Sequence, residues 1–331
     1  MADKAATIYD IAKLAGVNPS TVSRALTTPG RINKATEEKI RAAAKQLNYK
    51  ANPFARALPT GKTKMLALMI ADITNPVFFK VVRGAEQEAA SRGYTLVVAE
   101  SQESSIIEAK SLERILPAVD GVILGTTRLT DKEISQVNFD KPVVLVNRKA
   151  EGVADVAPDN EPGIEEAIGH LARLGHKSIA YVAGPANSWI GAQRFELIMK
   201  HALKAGMSVV EIGPNAPSLD AGAQALQRVR ASGATAVFTY NDLMGIGILQ
   251  ASKAAGLSVP EDLSVIGFDN IFGSDFTTPA LTTVQMDLLE IGKTAARIMI
   301  DHFERGTELG ESLGQGATSL LVRGSTGQAR A

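Results

Sequence analysis

A small all-α helix-turn-helix head followed by an α/β body of two doubly wound parallel-sheet lobes is the fold class the sequence predicts. Three observations predict it. The chain has 331 residues, 45% hydrophobic and 21% charged, an ordinary globular composition too long for one small module; at roughly 150 residues per domain it makes two or three folding units. Its 35 basic and 35 acidic residues balance overall, but residues 1–62 hold eleven Lys and Arg against four Asp and Glu, a net +7 that leaves −7 on the remainder. A small basic head on a larger acidic body is suited to a polyanion. From residue 66 onward, short apolar runs alternate with helical stretches, the signature of parallel β/α layers.

The head reads as three short helices. Thr7 and Asp10 stand at capping-box spacing, and Ile8, Ile11, Ala12, Leu14 and Ala15 then form an apolar face ending at Gly16. Asn18 is a good N-cap and Pro19 takes the favoured first helical position. Val22 and Leu26 face inward four residues apart, and Thr28-Pro29-Gly30 is a turn. A third helix runs over 34–47, with Ile40, Ala43, Ala44 and Leu47 on one face. Helix, glycine turn, helix is an arrangement whose second helix enters the major groove. Its exposed face carries Ser20, Thr21, Ser23 and Arg24, small donors and one cation suited to phosphates and base edges.

In the body, 66–71, 95–99, 121–124 and 143–146 read as buried parallel strands. Helices fit between them at 77–92 and 106–116. A second set of strands follows at 179–183, 209–212, 236–240 and 264–268, separated by helices at 165–174, 192–205, 220–231 and 244–255. Each set makes one doubly wound lobe, whose ligands bind beyond the carboxyl ends of the strands.

Several function classes are excluded. No cysteine means no disulfide, thiolate ligand or thiol nucleophile. The four histidines (His170, His176, His201, His302) form no zinc-binding cluster, so no metal and no cofactor is expected. Gly61-Lys62-Thr63 mimics the end of a P-loop, but Arg56 stands where the loop needs glycine. The polar start MADKAATIYD is no secretory signal, and no run of about 18 apolar residues occurs, so a soluble cytoplasmic protein without membrane contact is expected.

The string TIYDIAKLAGVNPSTVSRAL, residues 7–26, resembles the N-terminal helix-turn-helix of the LacI/GalR family of bacterial transcription regulators. The resemblance implies sequence-specific operator binding as a dimer. By family position Pro19, Ser20 and Arg24 read bases; Pro19 has no donor, so readout falls on Ser20 and Arg24. Thr21 and Ser23 are phosphate anchors, Tyr9 and Asn33 backbone contacts, and Thr7 joins this DNA-facing set. Residues 49–58 are similar to the family's hinge, a short helix that folds on DNA and enters the minor groove; Asn52, Ala55, Arg56 and Leu58 carry the match. Leu58 is the candidate wedge that unstacks a base step, offset by the wider contact that bent DNA permits. Two departures stand out: Ala51 replaces the usual proline, and Pro59 follows the wedge and stops the hinge helix.

The body resembles the type I periplasmic sugar-binding fold, so the likeness covers nearly the whole chain. It implies a DNA-binding domain at 1–48, a hinge helix and linker at 49–62, and an effector-binding and dimerisation domain at 63–331. One lobe then spans about 63–160 and 287–311, the other about 161–286 and 312–331. Polar residues cluster after the strands: Asp72, Asn75, Asn147, Asp159, Asn241 and Asp269. Carboxylates, amides and an arginine beside aromatic faces suit polyhydroxylated ligands. Arg194 and Asp269 match family positions that hydrogen-bond ligand. Phe79, rather than Phe78, is taken to stack on ligand, and Trp189 is a second stacking candidate. Asn241 is assigned to ligand and Asp242 to capping; Gln285 joins the effector set at the late crossover, and His176 is structural. The expected partners are near-palindromic double-stranded operator DNA, a sugar or sugar derivative, and a second copy of the chain. The tail GSTGQARA has no leucine heptad, so a homodimer rather than a coiled-coil tetramer is expected. Competing classes are a secreted sugar-binding protein, opposed by the basic head, and a doubly wound enzyme, which lacks a nucleophile–base pair or cofactor loop. The sequence does not name the effector: pentose, hexose, nucleoside and sugar phosphate all suit the polar set.

Overall fold

The computed structural model describes residues 6–27, 30–49, 62–310 and 315–330. The chain separates into two units, residues 1–64 and 65–331. The proposed hinge residues Asn52, Ala55, Arg56 and Leu58 lie outside the described residues.

In the first unit, α1 (Ile8–Ala15) starts where the Asp10 carboxylate accepts from the Thr7 N–H at 2.8 Å and its hydroxyl at 2.7 Å. It stops at Gly16, whose φ of 67° is left-handed. Helix α2 (Pro19–Thr27) follows a three-residue turn, and α3 (Lys34–Gln46) is capped by Asn33, whose side-chain oxygen accepts from the Ala35 N–H at 2.9 Å. The three helices close on Ile11, Ala12, Val22, Ala25, Ile40 and Ala43. Leu14, counted from the periodicity as inward-facing, is 47% exposed. Three short helices have little interior, and Leu14 lies beyond it.

The second unit holds two parallel sheets. Sheet one contains β1 (Met65–Ile70), β2 (Thr95–Glu100), β3 (Gly121–Gly125), β4 (Val143–Val146) and β5 (Ala154–Val156), in spatial order β2-β1-β3-β4-β5. Helices α4 (Val77–Ser91), α5 (Ser105–Ile115) and α6 (Asp131–Asp140) connect its strands. The central strands β1, β3 and β4 are buried almost throughout, as parallel strands covered on both faces must be.

A two-residue strand β6 (Pro158–Asp159) leads out of sheet one to α7 (Glu161–Arg173). Sheet two then comprises β7 (Ser178–Val182), β8 (Ser208–Ile212), β9 (Ala236–Thr239), β10 (Ser264–Asp269) and β11 (Thr282–Gln285), connected by α8 (Trp189–Lys204), α9 (Leu219–Ala231) and α10 (Asp242–Ala254). Its order is β13-β11-β10-β9-β7-β8, with β13 (Ser319–Leu321) antiparallel to β11 and the rest parallel. Between them the chain returns to sheet one, where α11 (Leu288–Arg305) packs against α4. Strand β12 (Gln315–Ala317) pairs with β6 between the sheets.

Each lobe joins a pair of helices by backbone contact at glycine. A Cβ on Gly84 of α4 would stand 2.1 Å from the Leu289 carbonyl oxygen, and one on Gly292 of α11 2.0 Å from that of Val81. In lobe two, Gly222 of α9 and Gly247 of α10 are equally close, 2.2 Å from the Met244 oxygen and 2.0 Å from the Leu219 oxygen. Only glycine permits this approach, so any side chain at these positions forces the helices apart.

Two helices begin earlier than periodicity alone marks. Helix α7 starts at Glu161 because Pro162 fits its first turn, and α8 starts at Trp189 because the Ser188 hydroxyl caps it through the Gly191 N–H at 3.2 Å. Among the described residues no helix is long and apolar enough to cross a membrane.

Candidate functional site

Both sheets wind outward from a central strand. Sheet one reverses its order between β1 and β3, sheet two between β7 and β9, and these reversals place the following loops around one crevice. From lobe one, Asn75 and Phe78 line it after β1, Arg128 after β3 and Asn147 after β4. From lobe two come Ile190 and Arg194 of α8, then Tyr240, Asn241 and Asp269. They leave a cavity of only about 30 Å³. Sites for small molecules run to about 300–1,000 Å³, so the inner crevice is too small for a sugar as it stands; at Glu103 and Pro217 it meets a wider mouth of about 510 Å³ between the lobes.

Arg194 is the centre of the crevice. Its guanidinium donates to Asp269 Oδ1 at 3.1 Å and to the Tyr240 carbonyl at 2.8 Å, and lies 3.5 Å from the Phe268 ring centroid. The stack and the two bonds fix its plane. One donor remains: Arg194 Nε is buried with no hydrogen-bond partner, and across the crevice Asn147 Oδ1 is an equally buried, unpartnered acceptor. Such groups are costly unless satisfied, so a donor and an acceptor stand ready for a polar ligand. Arg128 is ion-paired to Glu103, with its Nε 2.7 Å from Glu103 Oε2.

The backbone around the crevice is unusual. Glu103, Thr126, Asn147, Asp269 and Asn270 all have positive φ, reaching 106° at Asp269. Side-chain-bearing residues adopt this region at a cost, which the surroundings must offset. At Asp269 the holding groups are visible. Asp242, at the start of α10, is fully buried; its Oδ2 accepts from the Ile271 N–H at 2.9 Å and its Oδ1 from the Thr283 hydroxyl at 2.6 Å. Asn270 is held by Gln285 at 3.1 Å and by Arg323 at 2.7 Å.

Burial pushes the Asp269 carboxyl up to about 6, against the pull of Arg194, and burial together with the Asp269 charge raises Asp242 to about 8. A carboxyl whose folded pKa is raised holds its proton more tightly in the folded state. Its stabilisation is complete below the unfolded value near 4 and is lost as pH rises through 6 to 8. The melting temperature of the wild type is therefore expected to fall between pH 5 and pH 9. Asp242→Asn, which mimics the protonated acid, should flatten that fall by roughly 2 °C or more in a pH series of thermal melts. An identical slope in the variant would assign the fall to other groups.

The predicted site residues divide by position. Asn75, Asn147, Arg194, Asn241 and Asp269 come together on the crevice. Asn241 is also the helix cap: its oxygen accepts from the Met244 N–H at 3.0 Å and its amide donates to the Pro217 carbonyl at 3.2 Å. Asn241 thus takes the capping role assigned to Asp242 while still lining the crevice, and Asp242 is turned inward under β10 and β11. Phe79 is 51% exposed and points away, and its neighbour Phe78 lines the crevice. Trp189 packs against the core rather than the crevice. Asp72 accepts from the Thr74 N–H and hydroxyl at the crevice mouth. Asp159 is exposed and accepts from the Glu161 N–H. Gln285 holds Asn270 and reaches Ser319. His176 is a buried structural residue between Thr235, Ser264 and the Gly327 carbonyl.

Sequence reasoning passed over Arg128, Phe78 and Tyr240. Arg128 follows a strand end as the chosen residues do, and the same rule finds it. Tyr240 was counted as the last residue of a strand, where the structure has it just beyond.

On the head, Ser20 and Arg24 are exposed one turn apart on α2, and Tyr9 is 68% exposed on α1. Thr7 and Asn33 are exposed at helix starts, where their side chains also cap. Pro19, Thr21 and Ser23 are half-buried. Among the described residues no group of His, Asp or Glu is placed to hold a metal ion.

Comparison with known proteins adds family evidence. Residues 7–52 match the model for bacterial regulatory proteins of the lacI family, and residues 168–326 match a periplasmic binding protein-like domain. The chain is 32% identical over 336 residues to the HTH-type transcriptional repressor CytR of Escherichia coli (strain K12), covering 98% of this chain and 97% of the relative. It is 34% identical over 307 residues to the ribose operon repressor of Halalkalibacterium halodurans, covering 90% and 91%. Its structure is similar to that of the lac repressor dimer bound to operator and the anti-inducer ONPF, with a TM-score of 0.87, 25% identity, and coverage of 98% and 100%.

Proposed function

From the premise that the chain belongs to the lacI family of bacterial regulatory proteins, we propose that it is a cytoplasmic, homodimeric transcriptional repressor whose operator affinity is set by a sugar or sugar derivative bound between its lobes. One observation carries the effector half of this reading: two lobes close on Arg194, Asp269 and Asn147, with an unpartnered donor and acceptor facing the crevice. The DNA half rests on the exposed polar face of α2 in a basic head.

Ser20 and Arg24 read base edges, with Pro19 in apolar contact. Thr7, Tyr9, Thr21, Ser23 and Asn33 contact the sugar-phosphate backbone. Two heads related by a twofold axis require a near-palindromic operator. Asn52, Ala55, Arg56 and Leu58 form the hinge, ordered when the lobes hold the two Leu58 side chains at the spacing of a base step. Asn75, Asn147, Arg194, Asn241 and Asp269 hold the effector, whose entry parts the lobes. Asp72 stands at the mouth, and Phe79, Asp159, Trp189 and Gln285 act from outside the ligand contact. The coupling equals the difference in effector affinity between DNA-bound and free states, about 1–3 kcal/mol or 5–150-fold.

Selection of bound duplexes from a random pool tests the reading. A near-palindromic consensus with steeply salt-dependent affinity is expected. Adding D-ribose, other monosaccharides, cellobiose or nucleosides should then shift operator affinity at least fivefold for one of them. Failure to select any sequence would defeat the DNA-binding half. Leu58→Ala should weaken the selected operator at least about tenfold, since a base step that stays stacked forgoes contacts worth a few kcal/mol. Operator binding equal to wild type would remove the wedge role.

A further inference from the structure

We infer that lobe two carries a second small-molecule site, separate from the effector crevice, that takes a planar ring bearing amino or ammonium donors. The site is a cavity of about 380 Å³ between α8 and the carboxyl ends of β7 and β8, which falls within the usual size range for small-molecule sites of about 300–1,000 Å³. None of its lining residues lines the inner crevice, and it meets the crevice mouth only at Pro185 and Pro214.

Its construction suits a flat ring. Half-buried Phe195 forms one wall, backed by buried Tyr181 in an offset stack with ring centroids 5.4 Å apart and planes 15° apart. The other lining residues are mostly small, with Ala183, Ala186, Ser188 and Ala192 beside Pro185 and Pro214. Aromatic rings stack on such walls through offset contact. The Tyr181 hydroxyl, on a residue 1% exposed, has no hydrogen-bond partner among the described residues. A buried hydroxyl without a partner is costly, and a ligand group that bonds it removes that cost.

Charge selects the ligand further. Glu211 is exposed at the rim, and no Lys, Arg or His is among the lining residues. A carboxylate beside an apolar wall attracts donors and cations and repels anions. The shared chemistry is therefore an aromatic or heteroaromatic ring with an amino or ammonium group, whether a nucleobase or an aromatic amine.

Helix α8 divides the two sites. Ile190 and Arg194 face the effector crevice, whereas Gly191, Ala192 and Phe195 face this cavity. Ser188 lines the cavity and its hydroxyl lies 3.0 Å from the Tyr240 hydroxyl of the crevice. An occupant here touches the helix that carries Arg194. Trp189, the only tryptophan, begins α8, the helix that lines both sites, and serves as a reporter.

The test uses the full chain with adenine, cytosine, benzylamine and, as an anionic control, benzoate, each read by saturation-transfer NMR and by Trp189 emission. At least one amino-bearing ring should give a saturable signal and benzoate none. Ala192→Phe, which fills the cavity, should weaken that binding at least tenfold, while Asn147→Ala, a lobe-one change in the effector crevice away from α8, leaves it unchanged. Circular dichroism checks that Ala192→Phe is folded; Glu211→Gln, a surface change, should weaken benzylamine at least threefold in any case. Binding of adenine or cytosine alone identifies the source as a nucleobase, and of benzylamine alone as an aromatic amine. Four results overturn the proposal: no saturable signal from any amino-bearing ring, equal binding of benzoate, binding indifferent to both Ala192→Phe and Glu211→Gln, or binding abolished by Asn147→Ala, which would place the probe in the effector crevice.

Discussion

Arg194→Ala is expected to abolish the effector response and to destabilise the body by about 3–5 kcal/mol, the cost of leaving one partner of a buried ion pair uncompensated. Both effects have the same origin. The guanidinium is 4% exposed and is, among the described residues, the only charge bonded to the Asp269 carboxylate, which is 7% exposed. It also supports the Tyr240 carbonyl and covers the Phe268 ring. Without it, Asp269 either takes up a proton or draws water into the crevice, and in neither case keeps its orientation.

The double variant Arg194→Ala, Asp269→Ala separates these contributions. Removing both charges should recover part of the stability lost by Arg194→Ala alone, because the unpaired carboxylate is gone. Effector binding should not recover with it, since both ligand-facing groups are absent. Chemical denaturation of the three variants and the wild type, with effector titration by calorimetry, completes the cycle. Additive stability losses would show that the pair is not coupled. An unchanged effector affinity in Arg194→Ala would remove this residue from the site.

Arg24→Ala should produce the largest loss on the DNA side. Arg24 is exposed in the last turn of α2. A bidentate contact to guanine is worth about 1–3 kcal/mol of discrimination against the wrong base. A dimer makes it twice, so the operator complex should lose about 2–6 kcal/mol, doubling that per-contact range. The pattern of loss is more informative than its size. If Arg24 reads a base, the variant should tolerate substitutions at one symmetric pair of operator positions and bind non-specific duplexes nearly as before. If it contacts phosphate, affinity should fall uniformly across sequences and the salt dependence should become shallower. Competition binding against single-base operator variants at two salt concentrations distinguishes the cases.

Much of the architecture was legible because it follows local rules. The alternation of apolar runs with helical segments located eight strands of the body within a residue or two of where they lie. The Thr7–Asp10 cap was legible because it uses only neighbouring residues, whereas the caps at Asn33 and Ser188 were not read as caps. Other elements were harder to read. Helix α6 has a weak apolar face with Ile134 as its sole buried residue, and β5 is three residues long. The pairing of α11 with α4 joins segments some 200 residues apart through Gly84 and Gly292, and periodicity carries no trace of it.

What the sequence determined by itself was chemistry set by composition and near neighbours: a basic three-helix head, an acidic two-lobed body, and polar residues at the ends of particular strands. Tertiary structure alone decided which of two adjacent residues faces the crevice. Phe78 lines it and Phe79 is exposed; Asn241 caps α10 while Asp242 turns inward to hold the Asp269 loop. Neighbours in such pairs share composition, hydropathy and cap preference. They differ by about 100° around a helix, and only the packing of that helix against its sheet sets which direction is inward.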